Sequence, residues 1–295
     1  MQVDFSQFYI LMFGILAGAF PFLVLGVLVA TIIQRYAKHE WFTQFVKTNR
    51  FVSHFTIAIF GLFIPICECG NIPIIKKLMV KGFTLSQGVT FLLASPIVNP
   101  VTILTTFQAF PEFQGLVWFR ILGGLAIAYS IGLIISTIKN PSQFMIPITA
   151  GEIEHTHKGI KSFAFHYVSE FTETFKMLFI SAIIASLIQV IVPKETLLLL
   201  GTNPLLSLLV MIAFSFIISV CSNVDSFIAL SFTGTFSNSS LLGFMVSGPM
   251  IDIKTVVMLK SLFTSKFILI LTLLIFSFTI VLCLLYYSLN SYGIV

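Results

Sequence analysis

The chain has 295 residues, of which 57% are apolar and 9% charged, with a net charge of +5. An ordinary soluble domain carries roughly a quarter charged residues, so a water-facing surface cannot be assembled here and lipid is the solvent for most of the chain. The positive excess falls in connecting segments without a basic, aromatic-interleaved stripe, which excludes a nucleic-acid partner and reads as an orientation signal.

The first apolar run, residues 8–33, follows a leader with Asp4 and no base. Its core of about 26 residues is too long for a removable signal, so it reads as a retained span. Further spans are predicted at 54–66, 84–108, 114–138, 173–192, 204–221, 240–260 and 266–288. Two of them run into polar segments, 67–81 and 222–239, which read as broken or re-entrant arms. The fold class is therefore an all-α polytopic membrane protein with about eight transmembrane helices plus two broken segments.

Residues 139–171 form the only long polar stretch, with Pro141, Pro147, Gly151 and Gly159, and read as a cytoplasmic linker between a first membrane repeat, 1–138, and a second, 172–295. The halves look like copies. Cys67-Glu68-Cys69-Gly70-Asn71 aligns with Cys221-Ser222-Asn223-Val224-Asp225 at an offset of 154. Ala94-Ser95-Pro96-Ile97-Val98-Asn99 aligns with Ser247-Gly248-Pro249-Met250-Ile251-Asp252 at 153, followed by Thr102 against Thr255.

Charge relates the copies. Arg35, Lys38, Lys47 and Arg50 follow the first span, and Lys76, Lys77 and Lys81 precede the third. The matching segments of the second half hold only Lys194, offset by Glu195. Conversely, the 109–113 loop has Glu112 and no base, whereas its counterpart is bounded by Lys260 and Lys266. Bases gather on the cytoplasmic side, so the halves read as inverted-topology repeats with both termini outward.

Pro65-Ile66-Cys67-Glu68-Cys69-Gly70-Asn71-Ile72-Pro73 is the densest polar insertion in an apolar context. Two prolines and a glycine predict an unwound backbone, on which Cys67 and Cys69 would share a side. Paired thiolates suit soft ions, which makes Cys67 and Cys69 candidate metal ligands, beside the plainer reading of packed thiols at a helix break. A redox pair is weakened by Asn223 standing where the second copy would need its partner for Cys221. Cys283 reads as a packed thiol.

Glu68, Asp225, Asp252 and Lys254 are placed at membrane depth, where each costs ~2.5–3.5 kcal/mol on an isolated helix unless it faces a partner, a cavity or water. Lys254 either snorkels toward the interface near Lys260 or pairs with Asp225 or Asp252. Asp252 and its copy Asn99 lie near the midplane, as coupling groups or as hydrogen bonds between helices. Pro96, Pro100 and Pro249 free backbone carbonyls beside them. His155 and His157, with Glu152 and Glu154, read as solvated linker, and Trp41 and Trp118 as interface anchors.

Cys67-Glu68-Cys69-Gly70-Asn71-Ile72-Pro73, Gly82, the Phe91 to Pro100 segment and Gly248-Pro249-Met250-Ile251-Asp252-Ile253-Lys254 together resemble the bacterial predicted-permease family that includes organoarsenical efflux permeases. The resemblance implies a multi-pass permease of the bacterial cytoplasmic membrane and not an enzyme. Its C-x-C-G element falls on Cys67, Cys69 and Gly70, and its Pro-x-x-Asn-Pro element on Pro96, Asn99 and Pro100. Arsenical-exporting members tend to have Ser where this chain has Glu68; a buried carboxylate there would favour a cationic metal or a proton instead.

The leading expectation is a secondary permease, exporting a small solute such as a soft metal or metalloid species along Cys67, Glu68, Cys69, Asn71, Pro96, Asn99, Cys221, Asn223, Asp225, Pro249, Asp252 and Lys254. No G-x-x-x-x-G-K-[ST] sequence is present, so ATP does not drive it within this chain. The alternatives are a membrane thiol oxidoreductase using Cys67 and Cys69, or a non-catalytic subunit of a membrane complex. No cofactor is expected; the expected partners are the bilayer and the small-molecule or ion substrate, with a homo-oligomer left open.

Overall fold

The computed structural model describes residues 5–36, 49–63, 68–146, 160–191 and 204–291. Pro65, Cys67, Lys38, Trp41, Lys47, His155, His157, Glu152, Glu154, Lys194 and Glu195 lie outside the described residues. Every regular element among those described is helical. The first half contains α1 Phe5–Tyr36, α2 Arg50–Phe60 with a 3-10 turn Gly61–Phe63, α3 Glu68–Val80, α4 Leu85–Val98, α5 Pro100–Ala109 and α6 Gln114–Ser136. The second contains α7 Ile160–Ile191, α8 Pro204–Ile218, α9 Asp225–Leu230, α10 Asn238–Met250, α11 Ile253–Leu259 and α12 Ser265–Ser291.

Five stretches are long and apolar enough to cross a bilayer: Ser6–Ile33, Leu85–Ala109, Gln114–Ser136, Asn238–Leu259 and Ser265–Asn290, with α2 and α8 as shorter apolar helices. The chain is an all-α polytopic membrane protein. Leu85–Ala109 and Asn238–Leu259 are each two helices set end to end, and they are 72% and 78% buried, against 33% and 28% for Ser6–Ile33 and Ser265–Asn290. The interrupted spans are therefore the core, and α1 and α12 shield it. The first-half order, a 32-residue helix, a shorter apolar helix, a short arm, an interrupted span and a long helix, recurs in the second half, which also opens on 32 residues.

Local chemistry explains the helix ends. Thr84 and Gln87 close a capping box at the start of α4: the Gln87 amide donates to Thr84 Oγ1 and the Thr84 amide to Gln87 Oε1. At the end of α3 the Phe83 amide reaches the Leu78 carbonyl and the Gly82 amide the Met79 carbonyl, a Schellman ending that needs the positive φ of 111° at Gly82.

Between helices, closeness is set by missing side chains. α1 crosses α3 where a Cβ on Gly26 would lie 2.5 Å from Gly70 Cα. α2 passes α4 where a Cβ on Gly61 would lie 2.7 Å from Ser95 Cα, and at the matching crossing of α8 and α10 a Cβ on Gly248 would lie 3.5 Å from Ser215 Cβ. Backbone cannot retreat as a side chain can, so Gly26→Ala is expected to destabilise by about 1–3 kcal/mol or more. Thermal unfolding in detergent checks this, with Gly18→Ala, whose methyl meets nothing within 4 Å, as the control.

Two expectations change. The 67–73 segment does not unwind throughout: from Glu68 onward it is helical, with Pro73 inside α3. Pro73 removes only the amide that would have reached the Cys69 carbonyl, and one missing bond is compatible with a helix packed on both sides. Cys69 therefore stands on a helix and not on the extended backbone that would have aligned it with Cys67. The 139–171 stretch also does not run non-helical to its end, because α7 begins at Ile160. At its other end Pro141–Phe144 forms a 3-10 turn, the Ile146 amide donates to the Leu262 carbonyl at 2.9 Å, and the Thr264 amide donates to the Phe144 carbonyl at 3.0 Å.

Candidate functional site

Both interrupted spans break for a reason written in their residues. Pro100 disfavours helix at the residue before it, and Asn99 is extended (φ −54°, ψ 127°), with its Oδ1 accepting the Val101 amide at 2.9 Å to start α5. In the second half Ile251 and Asp252 are extended, and Asp252 Oδ1 accepts the Thr255 amide at 2.6 Å to start α11. Pro96 and Pro249 lie inside α4 and α10, so the helix passes them and ends two residues and one residue later, at Val98 and Met250. Asn99 and Asp252 are thus N-caps in the interior, each completely buried.

Between α8 and α9 the chain is irregular, and Ser219 takes a positive φ of 49°. That left-handed backbone is uncommon for a serine and turns the Ser219 carbonyl toward Lys254. Lys254 Nζ donates to Glu68 Oε1 at 3.0 Å and to the Ser219 carbonyl at 3.4 Å, and lies 3.5 Å from Asp252 Oδ2. The thiols of Cys69 and Cys221 are within electrostatic range of the same ammonium. Lys254 therefore does not snorkel. It is the second residue of α11, and helical side chains lean toward the helix N-terminus, away from Lys260 and into the centre.

A second charged pair lies beside the first. Arg120 Nη2 contacts Asp225 Oδ2 at 2.6 Å, while Nη1 donates to Ser226 Oγ at 2.6 Å and to Thr106 Oγ1 at 2.7 Å. Arg120 sits in a π-helical turn, Phe119–Gly123, inside α6. Such turns rotate a side chain out of the regular helical register. Thr102 Oγ1 donates to Asn223 Oδ1 at 3.0 Å, and Ser95 Oγ to Asn71 Oδ1 at 3.2 Å.

Glu68, Arg120, Asp225, Asp252 and Lys254 are each no more than 2% exposed. Three carboxylates thus face two bases, an acidic excess inside a sealed junction. Lys254–Glu68, Arg120–Asp225 and Thr102–Asn223 each join the first half to the second. Ten buried side-chain polar atoms among the described residues have no hydrogen-bond partner in the protein, and seven belong to this one junction: Glu68 Oε2, Asn71 Nδ2, Arg120 Nε, Ser222 Oγ, Asn223 Nδ2, Asp252 Oδ2 and Thr255 Oγ1. Unpartnered buried groups are rare, and a cluster of them marks a place for water or a ligand.

The structure gathers Glu68, Cys69, Asn71, Asn99, Cys221, Asn223, Asp225, Asp252 and Lys254 around this junction, while Cys67 lies outside the described residues. Among those described, no three His, Cys, Asp or Glu side chains are grouped as metal ligands. Sequence reasoning missed Arg120, although a lone base six residues into an apolar span is a signal of its own. It also missed Thr106 and Ser226, whose hydroxyls are ordinary in apolar helices and gain meaning only from the guanidinium between them.

Comparison with known proteins places these residues in context. The chain is 38% identical over 273 residues to the UPF0718 protein YcgR of Bacillus subtilis, covering 90% of this chain and 92% of that one. It is 31% identical over 263 residues to a Streptococcus mutans protein named "Putative two-component membrane permease complex subunit", covering 87% of each. A weaker likeness, 22% over 126 residues, links it to the UPF0718 protein YraQ of Escherichia coli. No solved structure is significantly similar to it. The family model described as predicted permease, ArsP_1, matches residues 4–288, which is nearly the whole chain, and the protein with this doubly interrupted, ion-paired core belongs to that permease family.

Proposed function

We propose that the chain is a secondary permease of the bacterial cytoplasmic membrane, built as two inverted repeats joined by a cytoplasmic linker, with the buried junction as its substrate passage. The observation that carries this reading is the cluster of six unpartnered polar atoms, with Asp252 Oδ2 held only by its ion pair to Lys254, around two ion pairs that cross between the halves. A purely structural core would have satisfied or removed those groups, because each costs about 1–3 kcal/mol when buried alone. A carrier keeps them for a passenger.

The passenger is a small cationic or thiol-reactive solute, such as a soft metal or metalloid species, moved outward. Three carboxylates against two bases favour a cation, and the Cys69 and Cys221 sulfurs favour a soft one. Lys254 then acts as a tethered counter-ion: its ammonium neutralises Glu68 and Asp252 when the passage is empty and is displaced when a cation arrives. The sealed junction corresponds to an occluded conformation, and opening toward either side requires the ion pairs between the halves to part.

A growth-inhibition and accumulation panel on a deletion strain tests this, complemented by wild type, Glu68→Gln and Asp252→Asn. Hypersensitivity to one soft cation or metalloid, relieved by wild type and by neither variant, is the expected outcome. Uniform tolerance across the panel, with background flux in proteoliposomes whether or not a proton gradient is applied, would sink it. The name of the Streptococcus mutans relative favours a second reading, in which the chain works as one subunit of a two-component permease. Stable co-purification with one membrane partner, and flux only when both are reconstituted, would select that reading.

A further inference from the structure

Glu68 begins α3 and Lys254 is the second residue of α11, so both helices lead away from the junction. Residues four apart lie over one another on a helix, about 6 Å along it. Glu68, Ile72 and Lys76 therefore form one line along α3, and Lys254 and Met258 another along α11, which Ser261 extends. The two lines converge on a cavity of about 20 Å³, the size of one water molecule. Its walls include Ile72 and Lys76 of α3, Met258 and Ser261, and Glu170 and Thr174 of α7. Ile72 and Met258, both buried, stand between this space and the ion pair of Glu68 with Lys254.

On its outer side α7 closes the space with charge. Lys77 Nζ lies 2.7 Å from Glu170 Oε2, with the two side chains only 6% and 12% exposed. Lys76 Nζ lies 3.5 Å from Glu173 Oε1, whose side chain is half in solvent, so water screens that pair and the Lys77–Glu170 contact dominates. α7 packs along α1 and α11 but meets α3 only briefly. Fastening alone does not account for an ion pair in so dry a place, because apolar side chains of similar volume would hold the helices as well or better. Charges that regain their hydration on separation suit a contact that has to part. The other half is built differently: at the offset of 154 that aligns the copies, Lys76 and Lys77 meet Leu230 and Ser231 at the end of α9, uncharged and exposed.

We propose that α7 is a gate of the junction, latched shut by Lys77 and Glu170. When the pair parts, α7 moves off α3, Ile72 and Met258 are uncovered, and the small space widens into an entrance that reaches Glu68 and Lys254. The gate rests on the permease reading of the junction. In the orientation proposed above, it lies on the cytoplasmic face, where an exported solute enters. The matching positions of α9 carry no charge to part, so the two faces of the passage open by different means.

Thiol reporters test this in the full-length protein. Thr174→Cys places one at the outer wall of the cavity and Met258→Cys one beside the junction. Their reaction with a membrane-impermeant maleimide is timed by mass shift in inverted vesicles, against the parent protein with its four native cysteines. Labelling is expected to be slow with the latch intact. Lys77→Met and Glu170→Gln are each expected to speed it about tenfold or more at both reporters, and the charge swap Lys77→Glu/Glu170→Lys to return it to the slow rate. Misfolding cannot imitate that reversal, since the swap restores the pair without restoring either residue. Unchanged rates in both single variants, a rise at Thr174→Cys with Met258→Cys still protected, or a rise that follows a lower Tm and survives the swap overturns the gate. Labelling needs no transported solute, so opening without any flux sinks the permease reading alone, and flux with labelling unchanged in every variant sinks the gate alone.

Discussion

Replacing Lys254 by methionine is expected to lower transport by about a hundredfold or more and to destabilise the protein by about 3–5 kcal/mol, because Glu68 and Asp252 would be left buried without their cation. Glu68→Gln is expected to cost less stability, because the ammonium keeps Asp252 Oδ2 at 3.5 Å and the Ser219 carbonyl at 3.4 Å. The double variant Glu68→Gln/Lys254→Met separates the two consequences. A buried ion pair replaced by a neutral pair of similar volume is often neutral for stability, so the double variant should regain the share of thermal stability that an unpaired Glu68 costs in Lys254→Met, while Asp252 stays without its cation. Transport should not return, because the ammonium that a passenger would displace is gone. Vesicle flux and thermal unfolding measured on the same preparations check this; recovery of flux together with stability would assign Lys254 and Glu68 to scaffolding alone.

The second large effect belongs to Arg120. Its guanidinium meets Asp225, Ser226 and Thr106 at 2.6–2.7 Å while only 1% exposed. Arg120→Met removes all three bonds and leaves the Asp225 carboxylate buried and unpaired, and a loss of about 3–5 kcal/mol is expected. Arg120→Lys is expected to recover only part of it, since one ammonium cannot reproduce a planar fork that reaches a carboxylate and two hydroxyls together. In a double-mutant cycle with Asp225→Asn, the coupling is expected to exceed about 1.5 kcal/mol, read from unfolding in mixed micelles. Independent, additive effects would mean that the close contact contributes little.

Much of this architecture is legible before any coordinates. The interrupted spans announce themselves because Asn99 and Asp252 each follow a proline by three residues in otherwise apolar runs, where nothing but a break or a ligand makes a polar group tolerable. The family resemblance rests on the same residues. Less legible is where each break falls. Pro73 reads as a helix breaker in sequence, yet it sits within α3, because packing against α1 at Gly26 and Gly70 holds the helix through one lost bond. The sequence leaves Lys254 between an interface lysine, by its distance from Lys260, and a partner of Asp225 or Asp252; the start of α11 at Ile253 turns its side chain toward Asp252. Arg120 is passed over in the sequence and becomes central through a π-turn that no periodicity announces. Pairings such as Glu68 with Lys254 depend on how the halves cross, and local sequence carries no record of that.

The Gly61–Ser95 and Ser215–Gly248 crossings also differ in a mechanical respect. In the first, an added methyl would run into backbone at 2.7 Å; in the second, it would meet a side-chain carbon at an ordinary 3.5 Å. The clearance at the second joint is confined to Gly248, since farther along α10 a Cβ on Gly243 would lie 2.8 Å from Leu208 Cδ1 of α8; the first joint is set by backbone and the second by side-chain ends that can yield.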